Sequence, residues 1–109
     1  MPRTTTDLFR RGNAVSPRLN HVRIGKDVEA FVRDGVDWVQ AGSGGVSTFS
    51  SPGPGSSWWV LPAEFEYPDD LVVVNDHGHH FSWEPRFDMP LAYFVEILES
   101  METAFRKMA

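Results

Sequence analysis

Between residues 42 and 62 the chain reads GSGGVSTFSSPGPGSSWWVLP, and the neighbouring hydroxyls of Ser47 and Thr48 follow closely on the pair Gly44-Gly45. A glycine pair lets backbone approach a ligand, because no Cβ holds it off and positive φ costs little. Gly and Pro at this density exclude a helix interior, so the stretch reads as a loop. Within it Val46 to Phe49 is one short strand, with Val46 and Thr48 on one side and Ser47 and Phe49 on the other. The plainer alternative is a hairpin loop whose glycines serve only as turns.

A second group, Asp76-His77-Gly78-His79-His80, packs three imidazoles and a carboxylate into five residues. Imidazole suits Zn or Ni, but a metal site draws ligands from a second element, and no comparable cluster occurs elsewhere, so no metal is assigned. The same histidines could exchange protons with RNA in a small nuclease or phosphotransferase, or simply form a polar hairpin tip. Glu84 lies an even number of residues from His80, so on a strand both share a face. Trp83, beside them, could stack on a planar ligand or pack in the core.

The elements that must position these groups are short. Asp7 to Arg10 is a candidate strand that ends on a guanidinium, and Asn13 to Gly25 reads as a surface connection. Val28, Phe31 and Val32 at i, i+3 and i+4, with Gly35 following, predict a short helix over 27–34. Val36 to Gln40, Trp58 to Leu61, Leu71 to Val74 and His79 to Glu84 read as strands, with turns at Tyr67 to Asp70 and Asn75 to Gly78. Leu91, Phe94, Val95, Leu98, Met101, Phe105 and Met108 recur at helical spacing behind Pro90, predicting a C-terminal amphipathic helix with a Glu102 to Arg106 pair. This order gives an α+β fold with antiparallel pairing, in one domain over 1–109.

The chain has 109 residues and a net charge of −5, with ten Lys and Arg against fifteen Asp and Glu. It lacks the basic stripe that phosphate contacts require, which argues against nucleic acid as a partner. Arg3, Arg10, Arg11, Arg18, Arg23 and Lys26 nevertheless make the N-terminal quarter basic. There is no cysteine, hence no thiolate chemistry, and the composition suits a reducing compartment. Neither an apolar run of bilayer length nor the apolar segment of a signal peptide occurs, so any export would use a route without a cleavable signal.

In order along the chain, Leu8-Phe9-Arg10, Gly44-Gly45-Val46-Ser47-Thr48-Phe49, Trp59-Val60-Leu61-Pro62, Pro68-x-Asp70-Leu71-x-Val73 and His80-Phe81-Ser82-Trp83-Glu84-Pro85 resemble the Tse2 family of type VI secretion toxins. The resemblance runs from about Leu8 to Lys107, with a shorter segment between Arg10 and Gly44 than the family has. It implies a compact ADP-ribosyltransferase-like fold, a split antiparallel β core with a crevice for NAD. It further implies a cytotoxic effector acting in the cytoplasm of a target cell and restrained by a cognate immunity protein. By resemblance Arg10 would hold a cofactor phosphate, Ser47 and Thr48 would form the second-strand hydroxyl motif, and His80 or Glu84 would steady the ribosyl cation. A guanidinium can grip two phosphate oxygens at once, while Gly44 and Gly45 would offer backbone groups to the nicotinamide amide, with Trp83 close by. Against an enzyme stands a non-catalytic binding module on the same fold, which small size, acidic charge and many aromatics would also suit.

Overall fold

A computed structural model describes residues 1–108. The strands are β1 (Leu8–Arg11), β2 (Ala30–Arg33), β3 (Val36–Val39), β4 (Val46–Phe49), β5 (Trp58–Leu61), β6 (Leu71–His77), β7 (His80–Pro85) and β8 (Met89–Pro90). A helix α1 (Leu91–Ser100), a single 3-10 turn over Glu102–Ala104 and a short strand β9 (Arg106–Lys107) complete the chain. Six strands form one sheet in the order β6-β7-β4-β1-β5-β9, and β2-β3-β8 form a second. All pairings between these strands are antiparallel, which a short connection dictates for the hairpins β2–β3 and β6–β7. Among the described residues no helix is long and apolar enough to cross a membrane.

The helix expected over 27–34 is instead a bridge at Val28 followed by strand β2. Arg33 pairs with Val36 across the two-residue turn Asp34-Gly35, and both turn residues have positive φ, 52° and 75°. That is the geometry a two-residue hairpin with an Asp-Gly loop adopts, and it outweighs three apolar residues at helical spacing. Arg33 then closes the outer face of the hairpin by lying over Trp38, 4.4 Å from its ring centre.

The C-terminal helix begins as expected, with Pro90 at its N-cap, but it ends at Ser100. Glu102 does not pair with Arg106. Its carboxylate accepts from the Ser16 hydroxyl at 2.9 Å and the Leu19 N–H at 3.1 Å, which anchors the 3-10 turn and releases Arg106 to pair with Val60 at the edge of β5. The connection after β1 is likewise more than surface, since Leu19 has no exposed area. It joins a core made of Leu8, Val46, Leu61, Leu71 and Trp83 from the large sheet, Val39 and Met89 from the small one, and Phe94 and Leu98 from α1.

Candidate functional site

Register between β4 and β7 sets which side chains meet. Ser47 lies opposite Ser82, Thr48 opposite Phe81 and Phe49 opposite His80. Alternation therefore puts Ser47, Phe49, His80, Ser82 and Glu84 on one face, and Val46, Thr48, Phe81 and Trp83 on the other. The second face is core. Thr48 is fully buried, its hydroxyl donating to the Phe81 carbonyl at 2.9 Å and accepting from the Trp83 indole N–H at 3.1 Å. Trp83 is also fully buried and meets Tyr67 edge to face. Thr48 and Trp83, expected at the ligand, thus stand behind the sheet, because neighbouring hydroxyls on a strand cannot share a face and an indole N–H taken inside needs an acceptor.

On the first face, Ser47, Asp76, His80, Ser82 and Glu84 look across a cleft of about 400 Å³ at Arg23, Lys26, Asp27, Ser43, Gly44 and Gly45. The glycine pair is needed for packing of the protein's own backbone. A Cβ on Gly45 would sit 2.0 Å from the Trp83 carbonyl, and one on Gly44, whose φ is +132°, would sit 2.3 Å from the Asp27 carbonyl. The second contact brings the loop 23–27 over the sheet. Arg23 clamps that loop by donating from its Nε, its Nη2 and its backbone N–H to the Asp27 carboxylate at 2.8–3.2 Å. Burial alone would push the Asp27 carboxyl up, but these bonds and the nearby Arg10 charge hold it below the usual range.

Arg10 sits where β1 and β4 part. The two strands share one residue pair, Phe9 with Phe49, and beyond it Arg10 Nη1 donates to the Ser47 carbonyl at 2.7 Å. Its Nε and Nη2 donate to the Pro17 and Arg18 carbonyls at 2.9 Å each. Three of its five N–H groups are used on backbone, so the guanidinium chiefly ties the loop after β1 to β4. Burial lowers its pKa to about 10, an effect the Asp27 charge opposes.

His80 links two groups. Its Nε2 is 2.8 Å from Ser47 Oγ and its Nδ1 is 2.5 Å from Asp76 Oδ1. Phe49 meets the ring edge to face and His77 stacks on it at 4.9 Å. His79 turns away to Ser50, 2.6 Å from its Oγ. Asp76, His77 and His80 bring their ligating atoms within 4.8 Å of one another. Both Nδ1 atoms already meet the same Asp76 oxygen, at 3.0 Å from His77 and 2.5 Å from His80, so the carboxylate's pull is spent on imidazole. The bond from His80 lowers the Asp76 pKa.

The structure therefore brings Arg10, Ser47, His80 and Glu84 into one neighbourhood and leaves Thr48 and Trp83 behind it. Asp27 was not foreseen; Arg23 and Lys26 stood out only as part of a basic N-terminal quarter, and Asp76 only as one of a histidine-rich group, none of them as residues of this cleft. The i, i+4 spacing of Asp76 and His80 across a hairpin turn was the signal for their pairing.

A family model described as Tse2 ADP-ribosyltransferase toxin matches residues 25–109. That span takes in Lys26, Asp27 and all the cleft residues on β4, β6 and β7, while Arg10 and Arg23 precede it. No curated protein and no solved structure matches the chain.

Proposed function

Because the chain belongs to the Tse2 ADP-ribosyltransferase toxin family, we propose that the cleft binds NAD, breaks its nicotinamide–ribose bond, and arrests growth in the cytoplasm of a target cell. The observation that carries this reading is Glu84. Its side chain lines the cleft on the same face as Ser47 and His80, and among the described residues no hydrogen bond or ion pair engages its carboxylate. An unengaged carboxylate is what a ribosyl cation requires as nicotinamide departs with the bonding electrons; a nucleophile then adds to C1′ and gives up its proton. A preplaced charge stabilises that cation without reorganising as the bond breaks.

The remaining roles follow from position. Arg23 and Lys26 supply positive charge on the loop side of the cleft for the pyrophosphate, and among the described residues Lys26 has no ion pair. Ser47 offers its hydroxyl to the ribose with His80 behind it. Arg10 ties the loop after β1 to β4 beside the cleft and so holds Ser47 in place. The parting of β1 from β4 is the split of an ADP-ribosyltransferase-like core in this reading. A cognate immunity protein would neutralise the toxin by occupying the cleft.

The test is nicotinamide release from NAD by the purified protein. Glu84→Gln should lower turnover roughly 100- to 1,000-fold, the scale of losing one preorganised transition-state contact, with no change in the urea midpoint. Absence of nicotinamide release and of growth arrest with the wild-type protein would remove the reading and leave a binding module.

A further inference from the structure

The hydrogen-bond chain from Asp76 through His80 to Ser47 carries a consequence for proton placement. We propose that Asp76 is a positioning residue that keeps the His80 proton on Nδ1, so that Nε2 accepts the Ser47 proton and turns the serine's lone pairs to the cleft. The assignment follows from what each group can do. An ionised aspartate only accepts, so the Nδ1 atom 2.5 Å from Asp76 Oδ1 must donate. In a neutral ring the other nitrogen is then an acceptor, and the atom 2.8 Å from it, Ser47 Oγ, has one proton to give. With that proton committed, the oxygen can only accept from a ligand, which suits a ribose hydroxyl.

The ladder itself serves this arrangement. Asn75 pairs with Phe81 and His77 with His80, so a bulge sets both Asp76 and His77 against His80. A bulge of this kind places two residues opposite one and re-aims their side chains. Here one contributes a carboxylate to the imidazole edge and the other stacks on its face at 4.9 Å. The His80 side chain is only 18% exposed, so water competes weakly for Nδ1.

This inference rests on the NAD reading only for its effect on turnover. The tautomer is read separately, from the imidazole ¹⁵N shifts of His80 in the purified protein. Wild type should show a protonated Nδ1 and a bare Nε2. Asp76→Asn, whose amide can donate to Nδ1, should reverse the two. His77→Ala should leave the wild-type tautomer pattern, because the bond from His80 Nδ1 to Asp76 that sets it remains. In NAD cleavage, Asp76→Asn should lower kcat about 10- to 100-fold, the scale for a residue that orients an imidazole, with KM within about threefold and partial recovery in Asp76→Glu. A wild-type proton on Nε2, or an Asp76→Asn protein with the wild-type tautomer, would overturn the proposal. The expected tautomers in a protein that leaves NAD intact would uphold the positioning role and defeat the NAD reading alone.

Discussion

Thr48 offers a sharp separation of support from chemistry. Replacing it with valine keeps the volume and the branch at Cβ but exchanges the hydroxyl for a methyl. Two bonds then vanish inside the core, the 2.9 Å bond to the Phe81 carbonyl and the 3.1 Å bond from the Trp83 indole. An indole N–H left without a partner costs about 1–3 kcal/mol, and the lost hydroxyl donation about 1 kcal/mol more. Thr48→Val should therefore lose about 2–4 kcal/mol, a large share of a stability of roughly 5–15 kcal/mol. Thr48→Ser keeps both bonds and sheds one buried methyl, for about 1 kcal/mol. Urea unfolding followed by tryptophan fluorescence reads both values, provided the slope is unchanged. If the valine and serine proteins differ by less than about 0.5 kcal/mol, the hydroxyl is not bridging β4 to Trp83 and its assignment to the core is wrong. The folded fraction of either protein should release nicotinamide at the wild-type rate, since no atom of Thr48 faces the cleft.

Other perturbations probe the same architecture. Arg10→Lys keeps the charge but replaces a planar fork that binds three carbonyls with a point donor; a loss of about 2–4 kcal/mol is expected in the same urea assay. Gly45→Ala would drive a methyl to 2.0 Å from the Trp83 carbonyl; a drop of several degrees in Tm, or failure to fold, should result, measured by thermal scanning. Asp27 and Asp76 both have folded pKa values below the ordinary carboxylate range. The unfolded chain therefore binds more protons as pH falls through about 4, and the stability these groups add above that pH is lost on the way down. Urea midpoints between pH 7 and pH 3 should show this decline, and Asp27→Asn should flatten it.

Much of the β scaffold was legible because it is written in residues with strong local preferences. Val46-Ser47-Thr48-Phe49, Trp58-Trp59-Val60-Leu61 and Leu71-Val72-Val73-Val74 are β-branched or aromatic runs between turns, and all are strands. Two helical readings failed for different reasons. Over 27–34 the spacing of Val28, Phe31 and Val32 suited a helix, but Asp34-Gly35 is an equally local signal for a two-residue hairpin, and β3 was adjacent to accept the pairing. After Ser100 the apolar spacing continues through Phe105 and Met108, yet the chain unwinds because Glu102 finds Ser16 and Leu19, more than eighty residues away. No local pattern encodes that contact. In the site, the alternation that separates Ser47 from Thr48 was visible, but which of them faced inward depended on the side of the sheet over which the core closes.

The position of the candidate site follows from where the large sheet stops being regular. An uninterrupted ladder satisfies its own backbone and leaves side chains to pack or to face water. The break between β1 and β4 leaves the Ser47 carbonyl for Arg10, and the bulge in β6 gives His80 a carboxylate partner as well as its cross-strand neighbour. Ser47 stands between these two irregularities, its carbonyl held by Arg10 and its hydroxyl by His80. Each device costs ladder hydrogen bonds, which explains why both are offset by charge-assisted contacts, stronger than neutral ones. Straightening either irregularity should stabilise the sheet while loosening Ser47. A variant lacking the extra residue Asp76 would test this directly, with a regular β6–β7 ladder, a higher urea midpoint and a Ser47 hydroxyl no longer fixed by His80.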